Sequence, residues 1–176
     1  GVNEDDMKTM NQTIKAWMQV KRTKENIPFF CVRASTEDSA TVSEVSGGNF
    51  AIGTLEDGTP LPTVIDAEAI FGYDNSLGKA VVFEEKGLDG VLATEQMYQN
   101  QLPCCFHGVK KTLAAGESVS IYQMIGQVEN QTLLSEFVTA KFDKAYYESK
   151  RNRADALTEE VGAFMDTKTA NPVFDE

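Results

Sequence analysis

Apolar residues change their spacing near residue 130, from short runs and alternation before it to steps of three and four after it. From Met7, the residues Met10, Ile14, Trp17 and Met18 draw one stripe on a short helix, while 17–20 equally open a strand. Residues 27–32 form an apolar run headed by Pro28; proline cannot donate to an interior ladder, so the run predicts a buried strand beginning at its proline. Two more extended segments, 41–45 and 50–52, are separated by a Gly47-Gly48 turn. Asp57-Gly58-Thr59-Pro60-Leu61-Pro62 reads as an irregular surface loop, and Asp66 as the cap of one helical turn through Phe71 that closes at Gly72. The β-branched stretch 79–83 predicts a strand, turned by Lys86-Gly87-Leu88-Asp89-Gly90. In 104–113, Phe106 and Val109 argue for burial, with Gly108 as a bulge between them. Leu113-Ala114-Ala115-Gly116-Glu117 is a turn, after which 118–128 alternates. Val119, Ile121, Gln123 and Ile125 share the parity expected to face a core, and Ser118, Ser120, Tyr122 and Met124 share the other.

Past Glu129 the period is helical. Asn130 is a favourable amino-terminal cap, and Leu134, Phe137, Val138, Phe142, Ala145 and Tyr146 trace an amphipathic stripe that resumes at Ala156, Leu157, Val161, Phe164 and Met165. The pattern predicts helix over 131–166, interrupted near Asn152, with Asn171-Pro172 as a breaker beyond it. The expected fold is therefore mainly β within the α+β class: an antiparallel, super-sandwich-like β-sandwich over 1–130, then a long amphipathic helix in a linker segment over 131–176. The helix is expected to lay its stripe on the sandwich in the isolated chain, or to mediate a homodimer when its natural partner is missing.

Charge narrows the partners. Sixteen Lys and Arg against 27 Asp and Glu give the 176-residue chain a net charge of -11, which repels nucleic acid and anionic membrane surfaces. Lys21, Arg22 and Lys24 form the densest basic cluster and, beside Glu25, read as a solvated turn. No apolar run has the length of a membrane span, and Gly-Val-Asn-Glu-Asp-Asp lacks the pattern of a signal peptide. Cys31, Cys104 and Cys105 are odd in number and two are adjacent, which points to reduced, buried thiols and a cytoplasmic setting.

Candidate chemistry is sparse. The single His107 excludes metal sites that need two imidazoles, and its neighbours Cys104 and Cys105 point to opposite faces of any strand; no metal and no cofactor are expected. Cys105 and His107 do share a face, as a nucleophilic pair would, but no third group is evident. Glu84-Glu85 and Glu159-Glu160 are adjacent residues rather than carboxyls held across a bond, and no glycine pair is followed by the Lys-Ser or Lys-Thr of a phosphate loop. Sugar rings stack on exposed aromatics, so Trp17, Tyr73 and Tyr98, in or near loops, are the candidate substrate-binding residues; no catalytic residue is expected.

The order of segments resembles a known family. Trp17 leading to Asn26-Ile27-Pro28-Phe29-Phe30, then Leu113-Ala114-Ala115-Gly116-Glu117-Ser118 entering a strand that ends Ile125-Gly126-Gln127-Val128-Glu129, then a long helix and Thr167-Lys168-Thr169-Ala170-Asn171-Pro172-Val173-Phe174-Asp175, is similar to the sandwich-to-linker part of cellobiose-phosphorylase-like glycoside phosphorylases. Residues 35–100 match nothing in that pattern. The resemblance implies a β-super-sandwich, a helical linker and an (α/α)6 barrel that phosphorolyses β-linked gluco-oligosaccharides with inversion. The barrel carries the general acid and most of the phosphate site, so the resemblance implies no catalytic residue at any position here. It implies instead a structural, dimerising or sugar-site-wall role, with the helical catalytic barrel, an oligosaccharide and a second copy of the chain as partners. The alternative is a stand-alone carbohydrate-binding module of mutarotase-like topology, with Trp17, Tyr73 or Tyr98 lining a concave sheet face. A small hydrolase using Cys105 and His107 is the third reading.

Overall fold

Pro28 opens a strand, as its missing donor requires. In the computed structural model, which describes residues 4–33, 40–41, 45–140, 142–164 and 170, strand β1 (Met18–Arg22) pairs antiparallel with β2 (Pro28–Val32). β2 pairs with β3 (Gly48–Leu55), and β3 with β6 (Ile121–Val128), giving one four-stranded antiparallel sheet of order β1-β2-β3-β6. Helix α1 (Glu4–Trp17) runs directly into β1, so both readings of 17–20 hold in turn. Of the stripe expected on α1, Ile14 and Trp17 are exposed; the side chains of Met7 and Met10, like most of the extended segment expected at 41–45, lie outside the described residues.

One face of the sheet holds the larger core. Phe29 stands opposite Phe50, and with Ile27, Cys31 and Ile52 they are closed over by Leu134 and Phe142, from beyond residue 130. Asn130 caps α4 (Gln131–Phe137) as expected, its side chain accepting from the Leu133 amide at 2.9 Å. The helix expected to continue towards Asn152 breaks earlier. After α4 the chain turns, and α5 (Lys144–Phe164) starts afresh. Tertiary bonds take over here: Thr54 Oγ1 donates to the Phe142 carbonyl at 2.9 Å, and the Lys144 amide donates to the Glu56 carbonyl at 2.9 Å. The expectation that the whole stripe lies on the sheet holds only for its first half. Phe142, Tyr146 and Tyr147 pack on the core, whereas residues 148–164 are all exposed, Phe164 to 91%.

The parity expected for β6 is reversed. Tyr122, Met124, Gly126 and Val128 stand opposite Thr54, Ile52, Phe50 and Gly48 on the core side, and Tyr122 stacks on Tyr147 at 4.9 Å. Val119, Ile121 and Ile125 face outward, Ile125 being 72% exposed. The reason lies at Gly126, which looks like a gap in the apolar row. A Cβ there would sit 2.7 Å from Phe50 Cζ, so the glycine is the seat of a core ring.

On the opposite face lies a two-stranded ribbon of β4 (Thr63–Val64) and β5 (Phe106–His107). Helices α2 (Glu68–Phe71) and α3 (Val81–Ala93) pack beside it through a second core of Val64, Ala69 and Val91. The turn expected at 66–72 forms: Asp66 accepts from the Glu68 amide at 3.0 Å, and Gly72 closes it. The strand expected at 79–83 does not. That stretch enters α3, and Gly87, expected in a turn, is the kink of the helix at φ 66°. Val81 and Val91, one on each limb, are both buried, so tertiary burial overrides the β-branched preference. Within 104–113 only Phe106 and His107 are strand, and Phe106 is exposed rather than buried. Helical residues outnumber strand residues among those described, which corrects the mainly β expectation to a mixed α+β fold. No described helix is long and apolar enough to cross a membrane.

Candidate functional site

His107 is placed by a glycine. Ile52 and Thr54 face the larger core, so Gly53 between them faces the ribbon, where a Cβ would sit 2.5 Å from His107 Cγ. The imidazole lies on bare backbone and is held at both nitrogens. Nδ1 is 3.1 Å from Thr63 Oγ1, and Nε2 is 3.7 Å from Cys105 Sγ. Thr63 Oγ1 also lies 3.5 Å from the Leu61 carbonyl, to which it can only donate. The consistent assignment has Nδ1–H donating to Thr63 and Nε2 accepting from the Cys105 thiol. Thr63 is thus the third group absent from the sequence reading of the Cys-His pair; it lies 44 positions from His107, and no local spacing signals it.

Electrostatics argue against using this trio as a nucleophile. Burial pushes the Cys105 thiol up to about 11, against the lowering effect of Arg22. Burial, then Asp66 and Cys105, push Cys104 up to about 12. Burial also lowers the pKa of His107. A neutral imidazole beside a protonated thiol is a hydrogen-bonded strut, since the thiolate is the reactive form. Arg22 braces the same corner: its guanidinium donates to the Thr63 carbonyl at 2.9 Å, the Asn26 carbonyl at 2.9 Å and Tyr98 Oη at 3.1 Å.

The three aromatic candidates belong to three different segments of the chain. Tyr98 serves as a clip on β1, its ring 5.7 Å from the Arg22 guanidinium and its carbonyl accepting from the Val20 amide at 2.7 Å. Trp17 ends α1, and its carbonyl accepts from Arg33. Tyr73 is 82% exposed in the loop after α2. Its neighbours Gly72 and Asp74 line an open cleft of about 420 Å³ together with Lys15, Glu68, Asn75 and Gln101. Sequence reading found the aromatic but not the cleft, which brings α1, α2 and residues 101–102 together across long separations.

Not every polar group in that cleft is available to a ligand. Asp66 spends one oxygen on the Glu68 amide and the other on the Met97 amide. Asp74 is engaged by Ser76 and by the Lys79 amide, and these hydrogen bonds hold its carboxyl below the usual carboxylate range. Lys15, Glu68 and Asn75 remain as groups able to meet hydroxyls there, while Tyr73 itself is not among the lining residues. Among the described residues, no cluster of three or more His, Cys, Asp or Glu is arranged to hold a metal ion. The chain matches no family model, no curated protein and no solved structure.

Proposed function

We propose that this chain is a non-catalytic β-body and linker of a carbohydrate-active enzyme. The parent would be an inverting, cytoplasmic glycoside phosphorylase acting on β-linked gluco-oligosaccharides, with the four-stranded sheet forming part of its sandwich. The reading is carried by the last helix. α5 packs on the sheet at Tyr146 and Tyr147 and then leaves Leu157, Val161 and Phe164 in water. Burying one such side chain stabilises by roughly 1.5–3 kcal/mol, so the bare half is built to be covered by a body such as the helical barrel. The protonated Cys105 and neutral His107 accord with a segment that performs no chemistry. Incubated with cellobiose or laminaribiose and phosphate, the purified chain is expected to release no glucose 1-phosphate; turnover by the chain alone would overturn the reading. The gene is expected to continue past Glu176 into a long helix-rich stretch, and a stop codon there would equally refute it.

The cleft lined by Gly72 and Asp74, the chain neighbours of the exposed Tyr73, favours a second reading, a stand-alone carbohydrate-binding module. Calorimetric titration with β-glucans separates the two. Millimolar or tighter binding that is lost in Tyr73→Ala supports the module.

A further inference from the structure

Most free strand edges in the described residues are covered. The outer edge of β1 is met by the chain at Tyr98–Gln99, through the Val20 amide and a bridge from Gln19 to Gln99. The part of β3 that runs past β2 is met by Thr59, Pro60 and Leu61. β6 is different. It ends the sheet order, and no described segment pairs with its outer edge. Natural proteins blunt an open edge with charge, proline or a bulge. Ile121–Val128 contains no charged residue and no proline, and its register with β3 is uninterrupted over all eight residues. The same strand presents Ile121 and Ile125 on its exposed face.

We propose that this edge is an interaction surface for a second copy of the chain, paired antiparallel about a two-fold axis at Gln123. An unpaired ladder of amides and carbonyls is matched by another strand, and an antiparallel edge is its own complement under two-fold symmetry. The axis perpendicular to the sheet keeps outward faces on the same side, so directly opposite residues have the same parity. Centring on Gln123 sets Ile121 of each copy against Ile125 of the other. Centring on Met124 sets both isoleucines against glutamines, and centring on Ile125 sets Ile121 against Glu129. Residues 118–120 continue the alternation and extend the overlap. The edge is roughly 27 Å long at about 3.4 Å per residue. Such a strip buries less than the roughly 800 Å² per partner of a standard interface, so the dimer is reversible. Each copy carries a net charge of -11, so added salt should tighten the dimer by screening the repulsion between copies. The proposal does not rest on the phosphorylase reading.

Sedimentation velocity of the whole chain over a concentration series tests it, with amide exchange recorded at the two ends of the series. The expected result is a monomer–dimer equilibrium tightened several-fold by salt, with slower exchange of alternate β6 amides at high concentration. Ile125→Lys should weaken it at least tenfold, and Gln123→Lys gives the same reading should the first variant fold poorly. Leu157→Gln combined with Val161→Gln, which leaves the net charge at -11, should leave it unchanged. A chain monomeric throughout with concentration-independent exchange in β6, or a dimer abolished by the α5 pair and untouched by Ile125→Lys, would overturn the proposal.

Discussion

At the scale of single residues, the burial that places His107 on Gly53 also fixes its charge state. The imidazole gives up its proton at a lower pH in the fold than in an open chain, because burial disfavours the cation. As pH falls through 6.5, the unfolded chain therefore takes up this proton first. The contribution of His107 to stability is present above that value and is lost below it. The chain has one histidine, so its ring protons form an isolated NMR probe. Their titration midpoint is expected below 6.5 in the native protein and close to 6.5 in urea. A native midpoint at or above 6.5 would show a solvated or ion-paired ring and remove the strut role. The thiols carry the opposite sign. Their raised values mean that stability falls as pH rises from about 9, where unfolded thiols ionise, towards about 11 and 12.

At the scale of elements, β6 separates pattern from packing. Its outward row of Ile121 and Ile125 looks like a core row, while the true core row contains a glycine. Gly126→Ala should therefore destabilise by about 1–3 kcal/mol, through overpacking against Phe50. Ile125→Ser, measured in dilute solution, should stay within about 0.5 kcal/mol. Urea unfolding of the two variants distinguishes this ordering from its reverse, which the alternation alone predicts. Legible features were those whose cause is local: the proline that starts β2, the Asn130 cap of α4, the Asp66–Gly72 turn and the turn before β6. The failures share a non-local cause. Residues 81–83 enter a helix because Val81 and Val91 are each buried on its two limbs, and the long helix divides because Thr54 and Glu56 claim backbone groups at 142–144. Thr63 meets His107, and Lys15 reaches the cleft at Gly72 and Asp74, only through pairings that local spacing does not encode.

At the scale of the whole molecule, the change of period near residue 130 marks a change of element but not of core. Leu134 and Phe142 close the same cluster as Phe29 and Phe50, so the start of the helical segment belongs to the sheet's body. What extends from it is α5 beyond Ser149, where the Arg153–Glu160 pair lies within the helix itself, is exposed on both sides and contributes little. A helix without tertiary cover is marginal in water, since nucleation and propagation nearly cancel over such lengths. Amide exchange should therefore be graded along the chain: slowest in β3, slow in α4 and at 146–147, and faster by orders of magnitude over 151–164. Mass spectrometry of peptic fragments measures this gradient directly, without any ligand or partner. Protection of 151–164 equal to that of β3 would mean that the stripe of Leu157, Val161 and Phe164 is already covered in the isolated chain, and the linker reading would lose the feature that carries it. Protection acquired only when a helix-rich polypeptide is supplied would identify what the stripe was built to meet.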